Sequence, residues 1–215
     1  MTFRFSNSLY GKTRRFVREH ARMSVAAAAT AVVAGTGIGT ATAVAGTAPA
    51  APAAAHTTAY TAAQPKQPST IYDSVNPSAV PAGQRIATYV DGPYAASSSQ
   101  VTGHPSVLWI DTNGSSPKAA GALDVEPGDA TPAGAAQWVQ QKLTASPNST
   151  AVVYTMKSEW PQVQSAISAL PAQMQSHVKY WIADPTGTPH TVPGASATQW
   201  YWGNSYDIST AMPGF

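Results

Sequence analysis

From Ser69 onward, short apolar runs alternate with polar or helical stretches. Seven runs are rich in β-branched or aromatic residues and are bounded by Gly, Pro or Asn, a pattern that predicts buried strands. They cover Thr70–Asp73, Arg85–Asp91, Ser106–Asp111, Ala120–Glu126, Thr150–Met156, Val178–Asp184 and Ala197–Trp202. A chain that alternates strands with helices in this way is typical of an α/β architecture with a mostly parallel sheet.

Two of the intervening stretches carry helix signals. Thr131 and Pro132 form an N-cap and a first helical position, so we predict a helix from there to about Ala145. Ser158 is predicted to cap a second helix that ends at Pro171. Its apolar residues at helical spacing are Trp160, Val163, Ile167 and Leu170.

The number and direction of the strands favour an α/β barrel. Seven or eight strands with mostly one-way connections predict a (β/α) TIM-barrel-like fold in which parallel strands predominate. Residues 70–215 are few for eight full βα units, so we expect a shortened and irregular barrel in which loops replace some helices. A flat doubly wound sheet is the alternative fold.

The first 45 residues have the layout of an export signal. Six basic residues lie before Ser24, an Ala/Val/Gly/Thr-rich run follows, and Ala43-Val44-Ala45 forms a small-residue cleavage site. Cleavage there predicts a secreted or cell-wall-associated protein with no stable membrane association. A single membrane anchor is the alternative. Arg14-Arg15 leaves open whether export follows the general or the twin-arginine route.

Residues 46–69 are predicted to be a disordered linker, because they are rich in Ala, Pro and Thr and hold few large apolar side chains. The folded domain is then 70–215. Without its first 45 residues the chain holds six basic and nine acidic residues, a net charge of −3. This balance, with no basic cluster, argues against nucleic acid as a partner. The chain has no cysteine, which excludes thiol catalysis.

Leu123-Asp124-Val125-Glu126-Pro127-Gly128 places two carboxylates at the end of a predicted strand. Residues i and i+2 of a strand point to the same face, so Asp124 and Glu126 should share one space. Paired carboxylates are the minimum set for glycoside hydrolysis, one as proton donor and the other as nucleophile or charge stabiliser. We expect their carboxyl groups to lie within roughly 5–7 Å of each other, close to the range of retaining enzymes.

Several acids of the domain lie at the carboxyl ends of predicted strands. They are Asp73, Asp91, Asp111, Glu126 and Asp184. In a parallel barrel these ends share one rim, and active sites are built there. A single acid at a strand end commonly caps a loop. The whole set, together with the Asp-x-Glu pair, favours a shared acidic cleft.

Aromatic residues flank the same strand ends. They are Tyr72, Tyr89, Tyr94, Trp109, Tyr154, Trp181, Trp200, Tyr201 and Trp202. Rings stack on the apolar faces of sugars while carboxylates bind sugar hydroxyls, so an acidic rim lined by aromatic residues suits a carbohydrate. Trp109 and Trp138 are instead expected in the core.

Other chemistries fit the sequence less well. The histidines show no metal-ligand spacing, and no G-x-S-x-G turn is present. Asn113-Gly114-Ser115-Ser116 does not open a P-loop. Calcium binding by Asp124, Glu126 and Asp129 remains an alternative, although their spacing is not that of an EF-hand loop. We expect no metal and no cofactor.

The order of the motifs resembles glycoside hydrolase family 25, the Chalaropsis-type lysozymes, and their shortened actinobacterial relatives. Ile71-Tyr72-Asp73-Ser74 resembles the first-strand Asp motif, and Leu123–Glu126 resembles the Asp-x-Glu catalytic motif. Val153-Tyr154-Thr155 with Trp160 resembles the later strand with its aromatic residue, and Tyr180-Trp181-Ile182-Ala183 resembles the Trp-x-Ala strand. The closing Gln-Trp and Asp motifs are similar to Thr198-Gln199-Trp200 and Tyr206-Asp207-Ile208-Ser209. The resemblance covers essentially all of 70–215.

The resemblance implies cleavage of the β-1,4 link between N-acetylmuramic acid and N-acetylglucosamine in peptidoglycan. Glu126 would be the proton donor, and Asp124 would stabilise the developing charge or orient the substrate's acetamido group. Asp73 and Asp207 would line the substrate subsite. Further substrate contacts are expected from Asp111 at the same rim and from the motif residues Tyr154, Trp181, Gln199 and Trp200.

The expected partner is therefore a cell-wall polysaccharide, bound by a monomer. Two features leave a second function open. The domain is shorter than a typical member of the family, and Asp184-Pro185 follows Ala183 where the family has an aromatic residue. A non-catalytic domain that binds cell-wall glycan on the same fold is the alternative.

Overall fold

Residues 67–215 are described by the computed structural model, and their eight strands close into a barrel. The strands are β1 (Ser69–Asp73), β2 (Ile86–Tyr89), β3 (Val107–Asp111), β4 (Ala122–Val125), β5 (Ala151–Met156), β6 (Val178–Ala183), β7 (Ala197–Trp202) and β8 (Asp207–Ala211). Each predicted run contains a strand, whereas β8 lies outside all of them. The predicted export signal, and the predicted linker up to residue 66, lie outside the described residues.

The strands follow one another around the barrel in chain order. From β1 to β7 each strand runs parallel to the next, whereas β8 runs antiparallel to both β7 and β1. Because β8 is reversed, its first residue, Asp207, lies where β1 to β7 end, and it pairs with Asp73 and Trp202. We call this end of the barrel the rim. The closed, mostly parallel barrel is compatible with a TIM-barrel-like α/β fold, and the flat doubly wound alternative is wrong.

Three α-helices lie in two consecutive connections. Helix α1 (Pro132–Ala145) joins β4 to β5, and helices α2 (Trp160–Ser168) and α3 (Ala172–Gln175) join β5 to β6. The connections after β1 and β2 hold only the 3-10 helices Pro77–Ala79, Gly92–Tyr94 and Ser98–Val101. Shorter structure thus replaces helices, as the length of the domain predicts. No helix among residues 67–215 is long and apolar enough to cross a membrane.

The two predicted helix starts have different outcomes. Thr131 Oγ1 accepts a hydrogen bond from the backbone N–H of Gly134 at 3.1 Å, which confirms the N-cap of α1. The predicted Ser158 cap is wrong. Glu159 precedes α2 instead, and its side chain makes no capping hydrogen bond.

Two apolar cores lie on opposite sides of the barrel wall. The inner core fills the barrel and includes Ile71, Leu108, Ile110, Ala122, Val152, Tyr154, Trp181 and Phe215. The outer core lies between the wall and the helices and includes Leu123, Val125, Trp138, Val139, Val153, Val163 and Ile167. The expectation that Trp109 and Trp138 are core residues is confirmed, since both are buried.

Two buried polar contacts fasten α1 to the barrel. Trp138 Nε1 donates a hydrogen bond to Asp111 Oδ2 at 2.8 Å. Lys142 Nζ donates to the carbonyl oxygen of Ala120 at 2.6 Å, just before β4 begins. Burial lowers the pKa of Lys142. These contacts hold α1 against β3 and β4, and β4 carries the first of the two predicted catalytic acids.

Trp181→Phe should destabilise the barrel. Trp181 is fully buried, and its Nε1 donates to Ser209 Oγ at 2.9 Å. The smaller ring leaves a cavity and removes the donor, so we expect a loss of about 2–3 kcal/mol in the free energy of unfolding. Ser209→Ala keeps the ring but leaves the buried indole N–H without its acceptor, so it should lose about 1–2 kcal/mol. Urea unfolding measures both losses, and equal losses would contradict the packing contribution of the indole ring.

Candidate active site

Strand β4 carries Asp124 toward the inside of the barrel. Ala122 belongs to the inner core, whereas Leu123 and Val125 belong to the outer core beneath α1. Asp124 alternates with the outer pair and therefore faces inward. Glu126 follows at the rim, and its carboxylate lies near that of Asp124. The prediction that Asp124 and Glu126 share one space while Val125 faces away is confirmed.

The turn after β4 adds a third carboxylate. Gly128 has a φ of 100°, a region that favours glycine, and the Asp129 N–H donates to the Glu126 carbonyl at 2.9 Å. One carboxylate oxygen each of Asp124, Glu126 and Asp129 lies within 4.8 Å of the other two. This limit joins single oxygens, and it is compatible with the prediction that the Asp124 and Glu126 carboxyl groups lie within roughly 5–7 Å of each other. Oxygens at this spacing would also suit a hard cation, so the calcium alternative stays open.

Gln199 connects three strands inside the barrel. Its Nε2 donates to Asp73 Oδ2 at 2.5 Å, which joins β7 to β1. Its Oε1 accepts hydrogen bonds from Tyr154 Oη at 2.9 Å and from Trp202 Nε1 at 2.5 Å. Gln199 is fully buried and Tyr154 nearly so. Both were expected to contact substrate, but this structure makes them the support that orients Asp73 and Trp202.

Asp207 and Asp73 face each other across the closure of the barrel. They pair directly in the register of β1 and β8. The backbone N–H of Gly203 donates to Asp207 Oδ1 at 3.0 Å, and Ser74 Oγ donates to the Ser205 carbonyl at 2.7 Å. The turn before β8 is thereby tied to the end of β1. The prediction that Asp73, Asp207 and Glu126 lie at the same end of the barrel is confirmed.

Glu159 is a rim acid that the sequence analysis missed. It lies shortly after β5 and is half-buried. Burial, and then the negative charge of Glu126, raise the pKa of Glu159. The rim therefore gathers carboxylates from the ends of β1 and β4 and from the segment after β5, together with Asp207. Its position shortly after a predicted strand, which is also where other rim acids lie, was the sequence signal that could have identified Glu159.

Asp111 does not belong to this cluster. Leu108 and Ile110 point into the barrel, so Asp111 points outward toward α1. Its carboxylate is fully buried and accepts four hydrogen bonds. The donors are the backbone N–H groups of Asn113, Gly114 and Ser116 and the indole N–H of Trp138. The expectation that Asp111 contacts substrate is corrected, because all of these contacts hold a loop and a helix in place.

Asp91 sits beside Asp111 outside the barrel. Its Oδ1 accepts hydrogen bonds from the backbone N–H and the hydroxyl of Thr112, both at 3.0 Å. Its Oδ2 is buried and has no hydrogen-bond donor. Burial, and then the neighbouring Asp111 carboxylate, raise the pKa of Asp91 despite the opposing hydrogen bonds from Thr112. The pair lies between the loops that follow β2 and β3 rather than in an open cleft.

Two predicted aromatic contacts are also corrected. Trp181 is fully buried inside the barrel and packs edge-on against Tyr154 at 4.9 Å, so no face of its ring is open to a substrate. Trp200 donates from Nε1 to Thr210 Oγ1 at 3.2 Å. Thr210 alternates with Ser209, which is bonded to Trp181 inside the barrel, so Trp200 lies on the outer wall. Trp202 is the aromatic residue of β7 that faces the site.

Asp184, another predicted rim acid, forms ion pairs. Its Oδ2 lies 2.8 Å from Lys157 Nζ and 3.2 Å from His190 Nε2. Burial opposes its ionisation, but the hydrogen bonds and charges of these two partners outweigh burial and lower its pKa. Asp184 therefore links the segments that follow β5 and β6.

Asp91→Asn should raise stability at neutral pH. The folded-state pKa of Asp91 lies above its ordinary 3.8, so Asp91 contributes fully to stability below that pH and loses the contribution as the pH rises through the folded-state pKa. Asparagine has no charge to bury, and its Nδ2 supplies a donor beside Asp111. The gain in the free energy of unfolding should shrink as the pH is lowered from neutral toward 3.8, the ordinary pKa of an aspartate. Urea unfolding at both pH values measures it, and a variant less stable than wild type at neutral pH would contradict the assignment.

No family model, no curated protein and no solved structure matches this chain. The resemblance to family 25 therefore rests on the order of the motifs. The function has to be argued from the geometry of the rim.

Proposed function

We propose that the domain is a secreted glycoside hydrolase that acts on peptidoglycan or a related cell-wall glycan by carboxylate acid catalysis. The observation that carries the proposal is the pair Asp124 and Glu126, whose nearest oxygens lie within 4.8 Å of each other at the rim. Asp73 and Asp207 flank the same end of the barrel. This arrangement, with the motif order, supports a shortened TIM-barrel-like lysozyme.

In the proposed reaction, Glu126 gives its proton to the glycosidic oxygen while the bond from that oxygen to the anomeric carbon breaks. Asp124 stabilises the positive charge that develops on the sugar, or orients the acetamido group so that its oxygen attacks the anomeric carbon. A water molecule then attacks this carbon, which breaks the bond to the acetamido oxygen where one has formed, and Glu126, now a carboxylate, takes a proton from the water.

The separation of the two acids bears on the stereochemistry. Inverting glycosidases place a water between carboxyl groups that lie about 6.5–9.5 Å apart. Retaining enzymes place the two groups about 5–5.5 Å apart. Asp124 and Glu126 have oxygens within 4.8 Å of each other, which is compatible with the closer arrangement. The proposed reaction accordingly ends with net retention of configuration.

The surroundings favour an available proton in the site. Asp124 is 2 % exposed and Glu126 is 8 % exposed, and Glu159 is half-buried beside them. Burial, and then the negative charge of Glu126, raise the pKa of Glu159. The rim is therefore an enclosed, acid-rich space of the kind in which glycosidases carry out general acid catalysis.

Trp202 supplies the aromatic surface expected of a sugar site. It is partly exposed, packs against the inner core, and is fixed by its hydrogen bond to Gln199. The same glutamine holds Asp73, so a sugar stacked on Trp202 would meet the Asp73 carboxylate along its edge. An aromatic face beside an oriented carboxylate matches the apolar face and the hydroxyls of a pyranose ring.

Glu126→Gln should abolish the release of reducing ends from purified peptidoglycan while the fold stays intact. The amide fills the same space but cannot protonate the leaving oxygen, so we expect a loss of at least about 100-fold in turnover. Glu159→Gln is the matched control, because it removes a neighbouring carboxylate of the same size. It should retain most of the activity.

Two outcomes would contradict the assignment. A larger loss in Glu159→Gln than in Glu126→Gln would move the proton donor to Glu159. A wild-type protein that releases no reducing ends at any pH would overturn the enzymatic function.

The second candidate is a non-catalytic domain that binds cell-wall glycan. The observation that favours it is the burial of the acids, since Asp124 and Asp73 are 2 % and 6 % exposed. Acids so enclosed can orient a site without reaching a glycosidic bond. Equal capture of wild type and Glu126→Gln by purified walls, with no cleavage by either protein, would establish binding as the function.

A further inference from the structure

The outer wall of the barrel carries an uncharged aromatic surface at β7, β8 and β1. The turn between β7 and β8 spans only residues 203–206, and β1 leads into a short 3-10 helix. Tyr72, Ile208 and Tyr201 stand in register across these three strands. Ile71 and Asp73 point inward, so Tyr72 between them points outward.

A β-bulge in β7 turns two consecutive aromatic residues to this wall. The register shifts between Gln199 and Tyr201, so Trp200 is the extra residue. A bulge of this type lets two residues of one strand oppose a single residue of its partner. Gln199 and Trp202 are bonded to each other inside the barrel, whereas Trp200 is bonded to the outward Thr210. Trp200 and Tyr201 therefore both occupy the outer wall.

The rings form two pairs on either side of Ile208. Tyr72 packs edge-on against Tyr206 at 5.2 Å, and Trp200 lies 5.9 Å from Tyr201. Gly203 lies between the Tyr201 ring and the Tyr206 backbone, because a Cβ there would lie 2.9 Å from Tyr201 Cε1 and 2.4 Å from the Tyr206 carbonyl oxygen. Only glycine allows this approach. We name Tyr72, Trp200, Tyr201, Tyr206 and Ile208 the outer aromatic face.

The chemistry of this face selects for a neutral ligand with apolar surfaces and hydroxyls. Its members offer phenol and indole groups, and its threonine neighbours Thr70 and Thr210 add hydroxyls, with no acid or base among them. Tyr201 is 39 % exposed and is the only exposed large hydrophobic residue among the described residues. The rings around it are half-buried, so they are held in place before a ligand arrives.

The face is continuous with the rim. Asp73, Trp202 and Asp207 are the immediate chain neighbours of Tyr72, Tyr201 and Ile208. The outer aromatic face thus begins about 3.3 Å, one residue, below the rim. Tyr72 and Tyr201 are two strand spacings apart, roughly 10 Å, which is the scale of a disaccharide. A polymer that leaves the candidate active site over this edge meets the rings directly.

We propose that the outer aromatic face is a second glycan-binding surface, which holds a polysaccharide strand outside the candidate active site. The proposal rests on the proposed function, since it assumes the same polymer at the rim. It separates two tasks in one domain. The rim would act on one link, and the outer wall would keep the protein on an insoluble substrate.

The test compares capture of the full chain by purified peptidoglycan with turnover of a short soluble chitin oligosaccharide. Tyr201→Ala should raise the half-saturating peptidoglycan concentration about fivefold, the loss of one stacked ring. Tyr201→Phe keeps the ring and should stay near wild type. Turnover of the soluble oligosaccharide should be unchanged in both variants, because this residue lies outside the rim. If Tyr201→Ala lowers the unfolding midpoint, Tyr72→Ser carries the same test.

Wild-type capture by Tyr201→Ala and by Tyr72→Ser would overturn the proposal. So would conversion of a dimer into a monomer by either change, since the face would then join two copies of the chain. Loss of the proposed function gives a different result: neither substrate is cleaved by wild type, while the difference in capture between Tyr201→Ala and Tyr201→Phe persists.

Discussion

Side chains alternate between the inside and the outside of a barrel wall, and this alternation decides which rim residues can act together. On β4 it turns Asp124 inward while Leu123 and Val125 support α1. On β3 the same rule turns Asp111 outward, where it holds Trp138 instead of a ligand. On β7 a single bulge resets the alternation, so that Trp200 leaves the site and Trp202 enters it. Two acids that look equivalent in the sequence thus have different tasks.

Closure of the barrel by the reversed strand β8 is the second determinant of the site. It brings Asp207 beside Asp73, although more than a hundred residues separate them in the chain. Gln199 then ties β1, β5 and β7 together and fixes the Asp73 carboxylate and the Trp202 ring. Among residues 67–215, α-helices lie only in the connections after β4 and β5, so no helix of this part of the chain covers the wall at β7, β8 and β1. The outer aromatic face lies on the part of the wall where loops replace helices, and this replacement is also what shortens the fold.

Much of the fold can be predicted from the sequence. The seven apolar runs and the Thr131 cap are local signals, and strand–helix alternation indicates a parallel barrel. Strand β8 is not predicted, because Asp207–Ala211 is short and polar and its pairing depends on strands that are distant in the sequence. The facing of Asp124 and Glu126 follows from their spacing. The direction of the Asp111 side chain cannot be predicted, because β3 is apolar on both faces and the sequence does not show which face lies inside the barrel. The direction of the Trp200 side chain depends on a bulge that has no local sequence signal. Glu159 is not predicted as a site residue, because it lies where the sequence indicates the start of a helix.

The stereochemistry of hydrolysis tests the central claim most directly, because the proposed reaction uses Glu126 first as acid and then as base on the same face of the sugar. The first product formed from a soluble β-1,4-linked oligosaccharide can be followed by proton NMR before its anomers equilibrate. Retention at a β-1,4 link predicts that the β-anomer appears first. Initial release of the α-anomer, or no hydrolysis at all, would contradict the account.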